Sequence, residues 1–158
     1  MTLEIRAVQP GDEALVLGFI RKLADYEKLL HEVEATEEDL RAALFGPVPR
    51  CQCDLALWNG APAGFALWFY NFSTFAGKAG IYLEDLFVEP EYRGKGIGKA
   101  LLKHLARRCV AEDLPRLQWW VLDWNEPSIA VYESLGAKAM DEWTVYRVSG
   151  PELEELAG

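Results

Sequence analysis

The stretch IYLEDLFVEPEYRGKGIG, residues 81–98, decides how this chain folds. Its first eight residues are apolar except for Glu84 and Asp85, and this composition predicts a buried strand over 81–88. Pro90 ends the strand because its nitrogen has no hydrogen to donate to a ladder. A glycine-rich turn then leads into KALLKHLARRC, residues 99–109, whose apolar residues recur at helical spacing. A strand, a glycine-rich turn and a helix start in succession predict an anion site, since glycine lets N–H groups approach a phosphate and the helix start supplies unpaired donors.

The glycine-rich turn does not fit two common phosphate-binding motifs. A P-loop needs Gly where Arg93 stands and Ser or Thr where Ala100 stands. The dinucleotide fingerprint GxGxxG is matched by Gly94 and Gly96, but Lys99 occupies the position of its third glycine. The remaining pattern, Arg-x-x-Gly-x-Gly after LFV-x-P-x-Y, has two explanations: a different phosphate-binding loop, or a plain strand-to-helix turn.

Positive charge is concentrated around this turn. Between Arg93 and Arg108 the chain has six basic residues and no acid, whereas the other 142 residues carry 10 basic residues and all 25 acids. Lys99, Lys103 and Arg107 recur at i, i+4 and i+8 on one face of the predicted helix. A solvated basic face is the simpler explanation. An anionic cofactor explains better why the cationic cluster surrounds a glycine-rich helix start in a protein of net charge −9.

Length and composition indicate one globular domain over residues 1–158. The chain is 51% hydrophobic and 12% aromatic, which excludes a disordered protein. No apolar run reaches the roughly 20 residues of a membrane span, and MTLEIRAV lacks the pattern of a signal peptide. Three cysteines, an odd number, favour the reducing cytoplasm, and with only two histidines we expect no metal site. The net charge of −9 disfavours nucleic acid and anionic membranes as partners and is compatible with a cationic small substrate.

The rest of the chain predicts further strands and helices. Strands are expected at residues 3–8, 50–58, 64–72 and 117–122, and one or two more within 138–148. Helices are expected at 13–30, from Thr36 to about Phe45, after the glycine-rich turn, and at 125–135. This order predicts an α/β (α+β) fold in which a mixed central sheet is flanked by helices.

Three stretches carry a family resemblance: YLEDLFVEPEYRGKGIG, then DWNEPSIAVYESLGA at 123–137, and LADYEK at 23–28. Together they closely resemble the diamine (spermidine/spermine) and thialysine acetyltransferase branch of the GNAT superfamily of N-acetyltransferases. The resemblance spans nearly the whole chain and is poorest after Ala137. It implies the acyl-CoA N-acyltransferase fold, acetyl-CoA as co-substrate without a metal, and a homodimer.

The resemblance also implies roles for individual residues. Main-chain groups of residues 86–88 would bind the pantetheine arm of acetyl-CoA, residues 94–99 its pyrophosphate, and Tyr132 would be the general acid. Other residues fall where the family contacts the cofactor or the amine. The implied cofactor-binding residues are Leu86, Phe87, Val88, Arg93, Gly94, Lys95, Gly96, Ile97, Gly98, Lys99, Asn125, Glu126, Pro127 and Ser128, and the implied amine-binding residues are Tyr26, Glu27, Glu84, Gln118, Trp119 and Trp120.

The chemistry of amine acetylation points to two catalytic side chains. An amine with a pKa near ~10.4 must lose a proton before it attacks a thioester, which costs about 4–5 kcal/mol at pH 7. Glu84 is the candidate for relaying that proton, with a strand acid paired to a neighbouring cation as the alternative. Asp85 points to the opposite face if the strand is regular, so that both acids cannot serve one site. Tyr132 is the candidate proton donor to the leaving thiolate, because a phenol is neutral at pH 7, and half-buried core packing is its alternative.

We therefore expect an acetyl-CoA-dependent N-acetyltransferase that acetylates a small cationic amine, either a polyamine or diamine or a lysine-like compound, by direct attack. Two alternatives stay open: acetylation of a protein or peptide, and a non-catalytic acyl-CoA-binding sensor, which would need neither Tyr132 nor Glu84. Trp119, Trp120 and Trp124 either line an amine slot through cation–π contacts or pack in the core.

Overall fold

A computed structural model describes residues 2–158 and divides them into two compact units, one ending at Trp120 and the other formed by Val121–Gly158. The first unit contains a five-stranded sheet in the order β1-β2-β3-β4-β5. The first four strands pair antiparallel with their neighbours, and β5 pairs parallel to β4, so the predicted mixed sheet is confirmed. The strands are β1 Leu3–Ala7, β2 Gln52–Trp58, β3 Ala61–Ser73, β4 Lys78–Val88 and β5 Leu117–Trp119.

Three helices belong to the first unit: α1 Glu13–Tyr26, α2 Glu37–Phe45 and α3 Ile97–Ala111. The predicted cap of α2 is confirmed as a capping box, in which Thr36 and Asp39 bond each other's backbone N–H. The first helix ends at Tyr26 and not at residue 30, because Lys28 has a φ of 62°, which a right-handed helix cannot contain.

Apolar side chains cover both faces of the sheet. On one face, Phe19 of α1 stacks on Phe65 of β3 at 5.4 Å between ring centroids, within a buried cluster that also includes residues of α2 and β2. On the other face, α3 buries its apolar side, Ile97, Leu101, Leu105 and Cys109, as its sequence period predicts. The sheet therefore has an α1/α2 face and an α3 face.

A β-bulge interrupts β4 at the centre of the sheet. Asp85 pairs with Leu67, and Leu83 pairs with Trp68, so that Glu84 has no partner on β3. Leu67 belongs to the cluster on the α1/α2 face, and its cross-strand partner Asp85 shares that face. The expectation that residues 84 and 85 cannot serve one site assumed a regular strand, and the bulge removes that premise.

The strands β4 and β5 part after a short parallel ladder. They pair only from Ile81 with Leu117 to Leu83 with Trp119. The predicted strand over 117–122 is therefore three residues long, while β4 continues to Val88 beside β3. Residues 84–88 consequently have no ladder partner on the β5 side within the described part of the chain.

The second unit contains two helices, α4 Glu126–Ser134 and α5 Gly150–Ala157. The prediction of one or two strands over 138–148 is wrong, since no strand is formed there among the described residues. The alternation around Trp143 and Val145 has strand propensity, but a strand also requires a ladder partner. The sequence pattern missed α5, which is short and begins with Gly150 and Pro151, residues that also mark turns.

No helix within residues 2–158 is long and apolar enough to cross a membrane. The prediction of a single domain over 1–158 stays a prediction.

Candidate active site

The glycine-rich turn leaves the start of α3 open to an anion. Gly94 and Gly96 have φ values of 81° and 80°, which favour glycine, and a Cβ on either would meet no atom within 4 Å. Gly96 is the N-cap of α3, and no side chain caps the helix. The first N–H with an intrahelical partner is that of Ala100, bonded to the Gly96 carbonyl at 2.9 Å. The N–H groups of the first turn therefore have no partner within the helix and no side-chain cap, which leaves them available to a phosphate.

The same turn fits the pyrophosphate of acetyl-CoA in charge as well as in shape. Lys95 and Lys99 are exposed and add positive charge to the positive end of the helix dipole. Gly98 lies against the end of β4, because a Cβ there would be 3.6 Å from Cγ2 of Val88. The residues predicted to hold the pyrophosphate, 94–99, thus lie on one turn, and their contacts with a cofactor stay a prediction.

Arg93 has contacts that the sequence motif does not indicate. Its Nε donates a hydrogen bond to the Val88 carbonyl at 3.1 Å. Its guanidinium carbon lies 5.3 Å from the ring centroid of Tyr26 and 5.6 Å from that of Phe87. Arg93 thereby ties the last residue of α1 to the end of β4, and we assign it a positioning role beside its predicted contact with the cofactor.

A second tie joins the same two elements. Lys22 of α1 forms a salt bridge with Glu89, the residue that follows β4 and is nearly buried. The Glu89 N–H bonds the Ala63 carbonyl of β3 at 2.8 Å. The end of β4 is therefore held by α1 on one side and by β3 on the other.

The unpaired edge of β4 fits the predicted pantetheine site. Beyond Leu83 the strand keeps its partner β3 but has no ladder to β5 within the described residues. Main-chain donors and acceptors of Leu86, Phe87 and Val88 lie on this stretch, which leads directly to the glycine-rich turn. An amide-containing chain such as pantetheine can pair with such an edge as an added strand does.

Two carboxyl groups without a cation partner lie beside this edge. Burial, together with the charges of Glu84 and Glu27, raises the pKa of Asp85 to about 7. Burial also raises the pKa of Glu27, which caps the C-terminus of α1. Within residues 2–158 neither Asp85 nor Glu27 forms a salt bridge. An incoming ammonium group would compensate both charges.

Aromatic rings lie along the same face of the sheet. Tyr82 is 5.1 Å from Phe69 and 5.8 Å from Trp120, measured between ring centroids. Burial, together with the charges of Glu84 and Asp85, raises the pKa of Tyr82 to about 12. Trp120 is 60% exposed, so that its ring is accessible to a ligand. This arrangement suits cation–π contact with an amine.

The residues predicted for amine contact on β5 and directly after it divide between the two faces of the sheet. Gln118 accepts a hydrogen bond from Asn71 Nδ2 at 3.2 Å. Trp119 pairs with Leu83 and therefore lies on the α3 face, whereas Gln118 and Trp120 alternate to the α1/α2 face. Asp85 is the residue that sequence reasoning set aside, and only its bulge and its burial point to it.

The predicted general acid lies in the second unit. Tyr132 is half-buried on α4, one turn after Ser128. Asn125 is buried and caps α4, with its Oδ1 accepting a hydrogen bond from the Ser128 N–H at 3.4 Å. Glu126 and Pro127 are exposed in the first turn. The roles of these five residues toward acetyl-CoA stay predictions.

The family model described as the Acetyltransferase (GNAT) family matches residues 20–137. This span contains both ties at the end of β4, the glycine-rich turn, the bulge and α4. The chain belongs to the GNAT acetyltransferase family, as the two core stretches of the sequence predicted. It is an acetyl-CoA-dependent N-acetyltransferase.

Several characterised and solved relatives align over nearly the whole chain. Thialysine N-epsilon-acetyltransferase of Bos taurus is 39% identical over 98% of this chain and 96% of its own length. L-ornithine N5-acetyltransferase of Arabidopsis thaliana is 29% identical over 99% of this chain and 88% of its own. The solved structure of an integron cassette protein from the mobile metagenome of V. cholerae has a TM-score of 0.82 and 30% identity, covering 99% of this chain and 98% of that protein.

A single glycine tests the cofactor turn. We expect saturating acetyl-CoA to raise the melting temperature by about 5–10 °C, since a ligand at 100 times its Kd adds about 2.7 kcal/mol and each kcal/mol shifts Tm by about 2–4 °C in a protein of this size. Gly96→Val should abolish this rise by placing a side chain at the anion site. Gly77→Val in the β3–β4 turn, where φ is also positive at 68°, is the matched control for backbone strain. An equal rise in melting temperature in both variants would show that the cofactor binds elsewhere.

Proposed function

We propose that this enzyme acetylates the terminal primary amine of a small lysine-like or ornithine-like molecule. The names of two relatives support an amino-acid acceptor, because one acts on thialysine and the other on L-ornithine. The observation that carries the proposal is the pair formed by Asp85 and Glu27, two half-buried acids without a cation partner beside the unpaired edge of β4.

The acceptor pocket follows from the chemistry around this pair. An alkylammonium group replaces the missing counter-charge of Glu27 and Asp85, and its methylene chain packs on the rings of Tyr82 and Trp120. A diamine satisfies the same carboxylates, so polyamines are the competing acceptor class. The homodimer and the cytoplasmic location stay predictions, and large exposed apolar residues of the second unit, such as Trp143 and Tyr146, support self-association.

Asp85 joins Glu84 as a candidate general base, and we favour Asp85. A base works best when its pKa lies near the working pH. Burial, together with the charges of Glu84 and Glu27, brings the pKa of Asp85 to about 7. Glu84 is exposed and unpaired at the bulge, beside Asp85 in sequence, which suits it to relay a proton between Asp85 and solvent. The proton leaves the ammonium nitrogen for the carboxylate, and the neutral amine then attacks the thioester carbonyl.

Tyr132 supplies the proton that the leaving sulfur needs. Acetyl-CoA contributes the acetyl thioester, whose C–S bond breaks as the new C–N bond forms. The phenol of Tyr132 is neutral at pH 7 and can donate its proton to a basic thiolate. Ser128 lies one turn earlier on the same helix face and, with the cap residue Asn125, supports the start of α4.

A screen of amines tests the acceptor class. We expect thiol release from acetyl-CoA to be fastest with thialysine, ornithine or lysine, and slower with putrescine and spermidine. Glu27→Gln should raise KM for the best amine about 10-fold with little change in kcat, because it removes binding that is equal in the ground and transition states. Glu34→Gln, an exposed acid in the segment after α1, is the control. Preference for polyamines, or an unchanged KM in Glu27→Gln, would contradict the proposed acceptor.

The pH dependence of the rate tests Asp85. Below about pH 7 Asp85 takes up a proton, and a base at this position is lost as the pH falls. We expect log kcat/KM to fall by one unit per pH unit below pH 7 and to be level between pH 7 and the amine pKa, because the pocket binds the ammonium form and Asp85 takes its proton. Asp85→Asn should lower the rate about 100-fold at pH 8 and leave a slope of one throughout. The change of slope near pH 7 should persist in Glu84→Gln. If it persisted in Asp85→Asn and disappeared in Glu84→Gln, Glu84 would be the base instead.

Removal of one hydroxyl tests Tyr132. Tyr132→Phe keeps the ring and its packing, so KM for acetyl-CoA should not change, whereas kcat should fall by about 10²–10⁴. The loss should shrink with an acetyl thioester whose thiol is more acidic, because such a thiolate leaves without a proton. Tyr146→Phe, at a 91% exposed position of the same unit, is the matched control. Turnover of a good amine at the parent rate would make Tyr132 a packing residue.

A further inference from the structure

A cleft opens between β1 and α3, and none of the roles assigned above uses it. Its volume is about 260 Å³. The β1 side is apolar, and the α3 side is basic. The lining residues are Leu3 and Ile5 from β1, and Ala100, Lys103, His104 and Arg107 from α3.

Two exposed cations face this cleft without acidic partners. Lys103 and Arg107 lie one helical turn apart, and neither belongs to a salt bridge within residues 2–158. Like charges at this spacing oppose each other in a helix. The chain has 25 acidic residues and a net charge of −9, yet none of these acids pairs with Lys103 or Arg107 within the described residues. An anion held between the two side chains would relieve their repulsion.

His104 connects the cleft to a buried carboxylate. Its Nε2 is buried without a hydrogen-bond partner in the described residues and lies 3.7 Å from Oδ1 of Asp54. Asp54 is buried in β2, and its Oδ2 accepts a hydrogen bond from Trp68 Nε1 at 2.8 Å. The imidazole of His104 thus lies between the buried Asp54 and the cleft, next to Lys103 and Arg107.

The cleft is separate from the cofactor turn along the helix. Lys103 lies seven residues beyond the N-cap Gly96, which is about 10 Å along the axis, and Arg107 about 16 Å. The field of the helix N-terminus acts within the first turn. Lys99, which is predicted to contact the pyrophosphate, does not line the cleft. The pyrophosphate of the cofactor therefore does not account for Lys103 and Arg107.

We infer that this cleft is a second anion-binding site, which takes a small organic anion. The carboxylate or phosphate group contacts Lys103, His104 and Arg107, and a short alkyl part lies on Leu3 and Ile5. The inference uses no residue of the acceptor or cofactor sites and does not depend on which amine is acetylated.

Histidine NMR gives a direct test, because the chain has only two histidines. The Cε1–H signals are followed while butyrate, butyl phosphate or inorganic phosphate is added at constant ionic strength. We expect a saturable change in the chemical shift of His104, which lines the cleft, and none for the exposed His31. Butyl phosphate should bind about 10-fold more tightly than inorganic phosphate, because its alkyl chain buries methylene groups. A stronger response to butyrate or to butyl phosphate distinguishes the carboxylate from the phosphate as the preferred head group.

Variants of the basic residues of α3 complete the test. Lys103→Ala combined with Arg107→Ala should weaken binding about 10-fold, since each exposed pair contributes a few-fold. Lys99→Ala removes one charge from the same helix outside the cleft and should change the affinity less than 2-fold. Four results would each overturn the inference: no saturation, an equal response of His31, an unchanged affinity in the double variant, or displacement of the anion by CoA.

Discussion

The parting of β4 from β5 after Leu83 is the constraint on which the site depends. A strand in the middle of a sheet has no free main-chain groups, and β4 is such a strand only as far as its short parallel ladder extends. Beyond it, β3 and the ties from α1 hold β4 in place, so that an unpaired edge persists beside the glycine-rich turn. The bulge at Glu84 falls at the same point and sets Asp85 on the α1/α2 face. One irregular strand thus positions the main-chain edge, the acids and the phosphate turn.

Basic and acidic residues form separate groups in the first unit, which suits the two substrates proposed for it. The basic residues around the start of α3 would attract the anionic cofactor, whereas Glu27, Glu84 and Asp85 are the acids proposed to face an ammonium group. The two groups of charges flank the same strand end, about which the acetyl group would be transferred. These carboxylates would offset the repulsion between the proposed cationic acceptor and the basic residues of α3.

Much of the fold could be predicted from periodicity and turn chemistry. The strand over 81–88, the basic helix and the cap at Thr36 depend on local patterns, and local patterns were sufficient. The strands expected at 138–148 were wrong because a ladder partner is not a local property. The candidate site shows the same division. The motif predicted a glycine-rich turn at Gly94 and Gly96, which both have positive φ, whereas the position of Asp85 depends on a register shift that no spacing rule indicates.

The position of Arg93 affects how the kinetics of variants of this enzyme are interpreted. Its guanidinium lies over Tyr26, a predicted amine-binding residue, and its Nε donates to the carbonyl of Val88, a predicted cofactor-binding residue. A substitution at Tyr26 therefore removes a ring from the proposed acceptor pocket and a contact of Arg93 in the same step. Effects at neighbouring positions that share a partner are not additive, and their interaction energies reach 0.5–3 kcal/mol. We expect substitutions at either end of this contact to change the apparent affinities for the amine and for acetyl-CoA together. A double-mutant cycle between residues 26 and 93 separates the effect on one substrate from the effect on the other.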